Sequence, residues 1–155
     1  MTNEQIILKL IEKNITLSTA ESCTGGSLGK IITSVPGASS IYGYGFITYA
    51  NEAKENLLGV PHEVLQSVGA VSPETALAMA EGAKRVSGSD IAVSVTGIAG
   101  PGGGTPEKPV GLVYVAIAHK DGSEYRKLNL DGNRDQVRTK TCDEVFKLIN
   151  EKILD

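Results

Sequence analysis

The chain has 155 residues, 41% hydrophobic and 21% charged, with a formal charge of −3. That length and balance fit one globular domain and exclude a disordered chain. The mildly acidic total argues against a nucleic-acid partner, which needs a basic face, and no apolar run reaches the roughly 18–20 residues of a membrane span.

The opening MTNEQIILKLIEKN has neither a basic leader nor a small-residue cleavage site, so a cytoplasmic protein is expected. Residues 3–13 carry Ile6, Ile7, Leu10 and Ile11 at helical spacing, with Asn3 as the expected cap. Residues 15–20 alternate apolar and small polar groups and predict a strand. Glu21-Ser22-Cys23-Thr24-Gly25-Gly26 follows, then a helix with Leu28, Ile31 and Ile32, capped by Thr24 or Ser22 and ended at Pro36-Gly37. Residues 41–49 predict a second strand, loosened by Gly43 and Gly45. Asn51 is the expected cap of a short helix carrying Lys54, Leu57 and Leu58, and 62–67 supply another turn or two. Ser72-Pro73-Glu74 starts a helix that runs to Ser87 and stops at Gly88. Residues 91–96 read as a buried strand, 97–109 as a long Gly/Pro loop and 110–118 as the next strand. Asp121-Gly122 signals a hairpin returning through 123–130, and Asn133 with Gln136 forms a capping box that opens a last helix.

The order α-β-α-β-α-β-β-β-α, with no repeat or linker, gives one domain over 1–155. Helices between the first three strands make them parallel, in a three-layer α/β/α sandwich with an antiparallel hairpin at one edge. The carboxyl ends of those strands share one rim, where open α/β sheets bind ligands. Ser22, Tyr49 and Thr96 lie there, as do the glycine loop and the amino end of the last helix with Arg134 and Arg138.

Ser22 stands between a strand end and a helix start, where the amides of Cys23, Thr24 and Gly25 can hold an oxyanion or a phosphate. Serine is also a common helix cap, and the residues alone leave both readings open. Cys23 is a second candidate nucleophile. A serine hydroxyl needs a base. His119 falls on the opposite rim and His62 in an ordinary connection, so a Ser-His-Asp triad is disfavoured. Lys54 is the remaining base if burial lowers its pKa, with Tyr49 near enough to hydrogen-bond or relay a proton. Two cysteines and two distant histidines give no disulfide framework and no metal-ligand spacing, so no metal is expected. TGGSLGKI (24–31) misses two of the four fixed P-loop positions and does not support ATP hydrolysis.

The strings TAESCTGG (19–26), GYGFITYANEAKENLLGV (43–60), GAVSPETALAMAEGAK (69–84) and TGIAGPGGGTPEKPVGLVYVAIA (96–118) resemble the C-terminal domain of the competence-damage-inducible protein family. That family includes stand-alone nicotinamide-mononucleotide deamidases. The resemblance implies a five-stranded mixed sheet of order 2-1-3-4-5 with strand four antiparallel. It also implies an amidohydrolase that converts nicotinamide mononucleotide to nicotinate mononucleotide and ammonia without a cofactor, and a homodimer. Carried over by motif, Ser22 is the nucleophile, Lys54 the activating base and Tyr49 an assisting group. Cys23, Thr24, Gly25, Gly26, Asn51, Thr96 and Gly97 are expected to contact the substrate. Arg138, with Arg134 close behind, is expected to bind the nucleotide, and Glu21 to sit near the pyridinium charge. The extra N-terminal domain of larger family members, associated with nucleotide-pyrophosphate chemistry, is not expected here. The rival readings are hydrolysis of another small amide or ester by the same dyad, and a pyridine-nucleotide-binding module without turnover.

Overall fold

A computed structural model describes residues 1–155. In chain order the elements are α1 (Asn3–Glu12), β1 (Leu17–Glu21), α2 (Ser27–Thr33), β2 (Tyr42–Ile47), α3 (Asn51–Leu58), α4 (His62–Ser67), α5 (Pro73–Ser87), β3 (Ile91–Gly97), β4 (Leu112–His119), β5 (Gly122–Asn129) and α6 (Arg134–Ile149). A 3₁₀ turn over Ala38–Ser40 and a π-helical turn over Asn150–Leu154 were not legible in the apolar spacing. The sheet order is β2-β1-β3-β4-β5. β1 pairs in parallel with β2 and β3, while β4 runs antiparallel to both β3 and β5. This is the five-stranded mixed sheet expected. No helix is long and apolar enough to cross a membrane.

Strand alternation assigns the two faces. Leu17, Val93, Val95, Val113, Val115 and Ile117 pack on one face against Ile7, Leu10, Leu28, Ile32, Val137 and Phe146 of α1, α2 and α6. Ala20 and Ala92 face Leu58, Met79 and Ala83 of α3 and α5, and Ala116 and Ala118 face Ala76 and Ala80. Small side chains on this second face let α5 lie close to the sheet, which carries α3 and α4 outside it. Cys142 and Met79 are fully buried, as packing residues.

Most helix ends follow the sequence signals. Ser72 accepts from the Thr75 amide, Gly88 closes α5 in the left-handed region, and Asn133 and Gln136 cap α6 reciprocally. Three caps differ from expectation. Thr2, not Asn3, caps α1, because its hydroxyl and the Gln5 amide group complete a capping box. Asn51 is the first residue of α3, after Ala50, and caps nothing. Neither Ser22 nor Thr24 caps α2, which starts after Gly26 and takes its acceptor from the Glu21 carboxylate. The glycine in strand two also has a defined effect: pairing jumps from Leu17–Tyr42 to Ser18–Tyr44, leaving Gly43 as a bulge.

The contact that matters most for the site joins α5 to α3. A Cβ on Gly82 would lie 2.0 Å from the Leu58 carbonyl oxygen, and Arg85 donates to that same oxygen at 3.0 Å. The carboxyl end of α3 is therefore clamped against α5 with no room for a methyl group. Gly82→Ala is expected to push α3 away and to destabilise the fold by about 1–3 kcal/mol, as overpacking does. Chemical denaturation checks this, and an unchanged midpoint would contradict the clamp.

Candidate active site

The end of β1 sends successive side chains to opposite faces of the sheet. Glu21 shares a face with Leu17 and Thr19, under α2. Ser22, whose amide still bonds the Val95 carbonyl at 3.1 Å, falls on the face of Ala20 and α3. There the Lys54 amine approaches the Ser22 hydroxyl at 3.0 Å. The same nitrogen donates to the Thr48 carbonyl at 2.7 Å and the Tyr49 carbonyl at 3.4 Å. Lys54 is only 1% exposed.

No carboxylate pairs with Lys54. Burial therefore lowers its pKa from the ordinary lysine value, and the neighbouring Cys23 offsets this only in part. Both protonation states find partners here. As an ammonium, Lys54 has three donors for three oxygens. As an amine, it can give two N–H groups to the carbonyls and turn its lone pair to the serine hydroxyl. That second arrangement is the geometry of a serine activated by a lysine base.

Cys23 packs into the main core, and its thiol is pushed up to about 11 by burial. It is a poor nucleophile at neutral pH.

Ser22 and Lys54 open into a cleft of about 190 Å³, walled by Thr96 and Gly97 from β3, Ala70 and Val71 ahead of α5, Tyr49 and Arg134, with Cys23 and Ala99 also at its lining. A larger cleft of about 490 Å³ lies on the opposite rim, beside His119, and holds neither group. The Thr96 hydroxyl donates to the Ala70 carbonyl at 2.8 Å and so fixes the α4–α5 connection. Gly97 is obligatory at its position, since a Cβ would meet the Val113 side chain at 2.6 Å.

The remaining expected residues divide. Tyr49 contributes its carbonyl, not its phenol, to Lys54. Its ring is 64% exposed, and its hydroxyl accepts from Arg134 at 3.2 Å. Arg134 also donates to the Gly100 carbonyl at 2.8 Å, bridging the glycine loop to the segment after β2. Arg134, not Arg138, lines the cleft. Arg138 reaches instead to the Ser22–Gly26 turn, donating to the Thr24 carbonyl at 2.9 Å. Thr24, Gly25 and Gly26 belong to that turn but not to the cleft wall, and Asn51 faces solvent off the cleft. Glu21 is 2% exposed with both oxygens turned to α2, so its charge does not front the cleft. Thr48, Ala70 and Val71 are the site residues that sequence reasoning passed over. Thr48 and Ala70 act through backbone carbonyls, for which a side-chain type gives no signal.

Two expectations follow. Iodoacetamide at about pH 8 should leave Cys23 and Cys142 unlabelled in the folded protein, since burial raises both thiols. Rapid native-state labelling of Cys23, read by mass, would contradict its burial. A lysine whose folded pKa lies below its unfolded value costs stability fully at pH below the folded pKa. That cost disappears as pH rises through the folded and then the unfolded pKa. Lys54→Met should therefore melt no lower than wild type at neutral pH. A large drop in Tm would show that the ammonium is net stabilising.

The family model for the CinA C-terminal domain matches residues 1–153. A competence-damage inducible protein of Caldanaerobacter subterraneus is 54% identical over 147 residues, covering 94% of this chain and 36% of the relative. One from Acetivibrio thermocellus is 51% identical over 145 residues, with 94% and 35% covered. The chain thus spans about a third of the length of these curated relatives. Among solved structures, the competence/damage inducible protein CihA of Agrobacterium tumefaciens superposes with a TM-score of 0.91 at 41% identity, covering 96% of this chain and 94% of the other. The competence damage-inducible protein A of Klebsiella pneumoniae gives 0.93 at 31% identity, with 99% and 98% covered. With residues 1–153 matched by the family model and solved members superposing over nearly the whole chain, the chain belongs to the CinA C-terminal domain family.

Proposed function

We propose that the protein hydrolyses a small carboxamide through an acyl-enzyme on Ser22, and that the substrate is nicotinamide mononucleotide. The observation that carries this reading is the 3.0 Å approach of a buried, carboxylate-free lysine to a serine hydroxyl at the rim of the sheet. A structural lysine buried in this way would serve stability better as an apolar residue, since an uncompensated ammonium is costly. A reactive lysine needs that desolvation.

In the first step neutral Lys54 takes the Ser22 proton as Oγ attacks the carboxamide carbon. The carbonyl electron pair moves to the oxygen, where backbone amides after Ser22 accept the charge; losing one such donor typically costs about 3–4 kcal/mol of barrier. As the intermediate collapses, the C–N bond breaks and Lys54 returns its proton to the departing nitrogen, giving ammonia. Water then gives a proton to Lys54 and attacks the ester, and Ser22 regains its proton as the acid leaves. One amine serves as base and acid in turn.

The charge of the cleft supports an anionic substrate. Arg134 lines it, and no carboxylate does. A pyridinium mononucleotide carries a net negative charge through its phosphate, and Arg134 beside the cleft suits that group. Tyr49 offers an exposed aromatic face near the same edge, suited to a cationic ring. The assisting role expected of Tyr49 is thus assigned to substrate contact.

Ammonia release from nicotinamide mononucleotide tests the reading. Lys54→Ala should lower kcat by about 10²–10⁴-fold, the range for loss of a general base, and Ser22→Ala should abolish turnover with the fold intact by circular dichroism. Because the reactive form is the neutral amine, kcat/KM should rise with pH through the lowered Lys54 pKa and then level. Binding of the nucleotide without ammonia release would make the protein a sensor, and full activity in Ser22→Ala would remove the serine from the mechanism.

A further inference from the structure

The Glu21 carboxylate is buried without a cationic partner, and it is not idle. Oε1 accepts from the Thr24 hydroxyl at 2.6 Å, the Gly26 amide at 3.2 Å and the Leu28 amide at 2.9 Å, while Oε2 accepts from the Gly29 amide at 3.1 Å. Four donors around one carboxylate satisfy its charge from backbone and hydroxyl groups alone.

The consequence appears in the hydrogen-bond accounting of the turn, where each buried amide must find an acceptor. The amides of Gly26, Leu28 and Gly29 go to Glu21, that of Ser27 to the Thr24 carbonyl, and that of Gly25 to the Ser22 carbonyl. Ser22 itself bonds Val95. Between Ser22 and Gly29, only the amides of Cys23 and Thr24 have no oxygen acceptor, the Cys23 amide lying against its own thiol. They are the two that directly follow the nucleophile. The amino end of α2, often a place for anions, is filled by the protein's own carboxylate.

Thr24 is the link between these facts. Its hydroxyl is held by Glu21, and its carbonyl accepts from the Ser27 amide at 3.1 Å, the Ser27 hydroxyl at 2.7 Å and Arg138 at 2.9 Å. A residue pinned at both side chain and carbonyl has a fixed amide direction. We infer that Glu21 is a positioning residue: through the Thr24 hydroxyl it sets the Ser22–Gly26 turn and reserves the Cys23 and Thr24 amides for the oxyanion of the reaction. This rests on the reading of Ser22 as a nucleophile, and it moves Glu21 from the pyridinium to the nucleophile turn.

The test uses Thr24→Val, which removes one donor to Glu21 and leaves its three backbone donors in place, alongside Thr24→Ser and Glu21→Gln. The first readout is the rate of Ser22 phosphonylation by an alkyl fluorophosphonate, followed by mass. In that reaction the Oγ–P bond forms, fluoride leaves, and the serine proton passes to Lys54. A phosphoryl oxygen then takes the oxyanion's place, whatever the natural substrate. Thr24→Val should react about tenfold or more slowly, as expected of a small misplacement in a preorganised site, with Thr24→Ser close to wild type. In steady-state turnover the loss should fall on kcat and leave KM nearly unchanged. A purely structural cap would lower Tm while leaving the labelling rate of the folded protein untouched, and that result would overturn the inference. Should Glu21→Gln not fold, the two Thr24 variants decide it alone. Wild-type protein that resists the probe would instead overturn the nucleophile reading, so the two failures are distinct.

Discussion

Lys54 keeps its nitrogen 3.0 Å from the Ser22 hydroxyl in a place where no acidic side chain balances its charge. Burial disfavours the ammonium and lowers the lysine's pKa from its ordinary value. Two backbone carbonyls from the segment after β2 tether the nitrogen without neutralising it. A carboxylate in their place would have locked the lysine as a cation and left the serine without a base. The proposed reactivity of the site therefore depends as much on what surrounds the lysine as on the lysine itself.

Holding the nitrogen there needs a rigid frame. The last carbonyl of α3 is gripped by Arg85 and pressed against Gly82 of α5, and α5 lies close to the sheet because Ala76, Ala80, Ala116 and Ala118 are small. On the other side, Ser22 extends the β1 ladder through its bond to Val95. The dyad thus spans two elements, α3 and β1, each fixed by contacts outside the cleft. Such support from packed elements is what keeps a site within the few tenths of an ångström that chemistry needs.

The segment from Glu21 to Thr24 shows how one strand end serves several roles. Alternation sends Glu21 beneath α2 and Ser22 toward α3, and the chain then turns so that Cys23 enters the core. Glycines at 25 and 26, with φ of 58° and 106°, permit the left-handed turn that brings α2 back over Glu21. The buried Glu21 carboxylate is one residue from Ser22, the hydroxyl partner of the buried Lys54, yet the two charges lie on opposite sides of the sheet. Each charge is handled by its own set of hydrogen bonds rather than by pairing. Had the two met, neither the helix cap nor the proposed base would exist.

Much of this was legible in the amino-acid order. Apolar spacing, the Ser72-Pro73 and Asn133–Gln136 helix starts and the Asp121-Gly122 turn define the elements to within a residue or two, because those signals are local. The alternation of strands and helices fixes parallel pairing and brings Ser22, Lys54, Thr96 and Arg134 to one rim. Other features were decided only by the tertiary structure, because they depend on which backbone groups meet across the fold. Glu21 reads as an acid beside the site, and only the approach of α2 turns it into a cap. Tyr49 reads as a phenol beside a lysine, but the bend after β2 presents its carbonyl instead. Arg134 and Arg138 are one helical turn apart and indistinguishable as letters; the direction of α6 puts the first at the cleft and the second behind the turn. The lysine's burial, on which its proposed chemistry rests, places it in one cleft with Ser22, Ala70, Val71 and Thr96, residues that are far apart in the sequence.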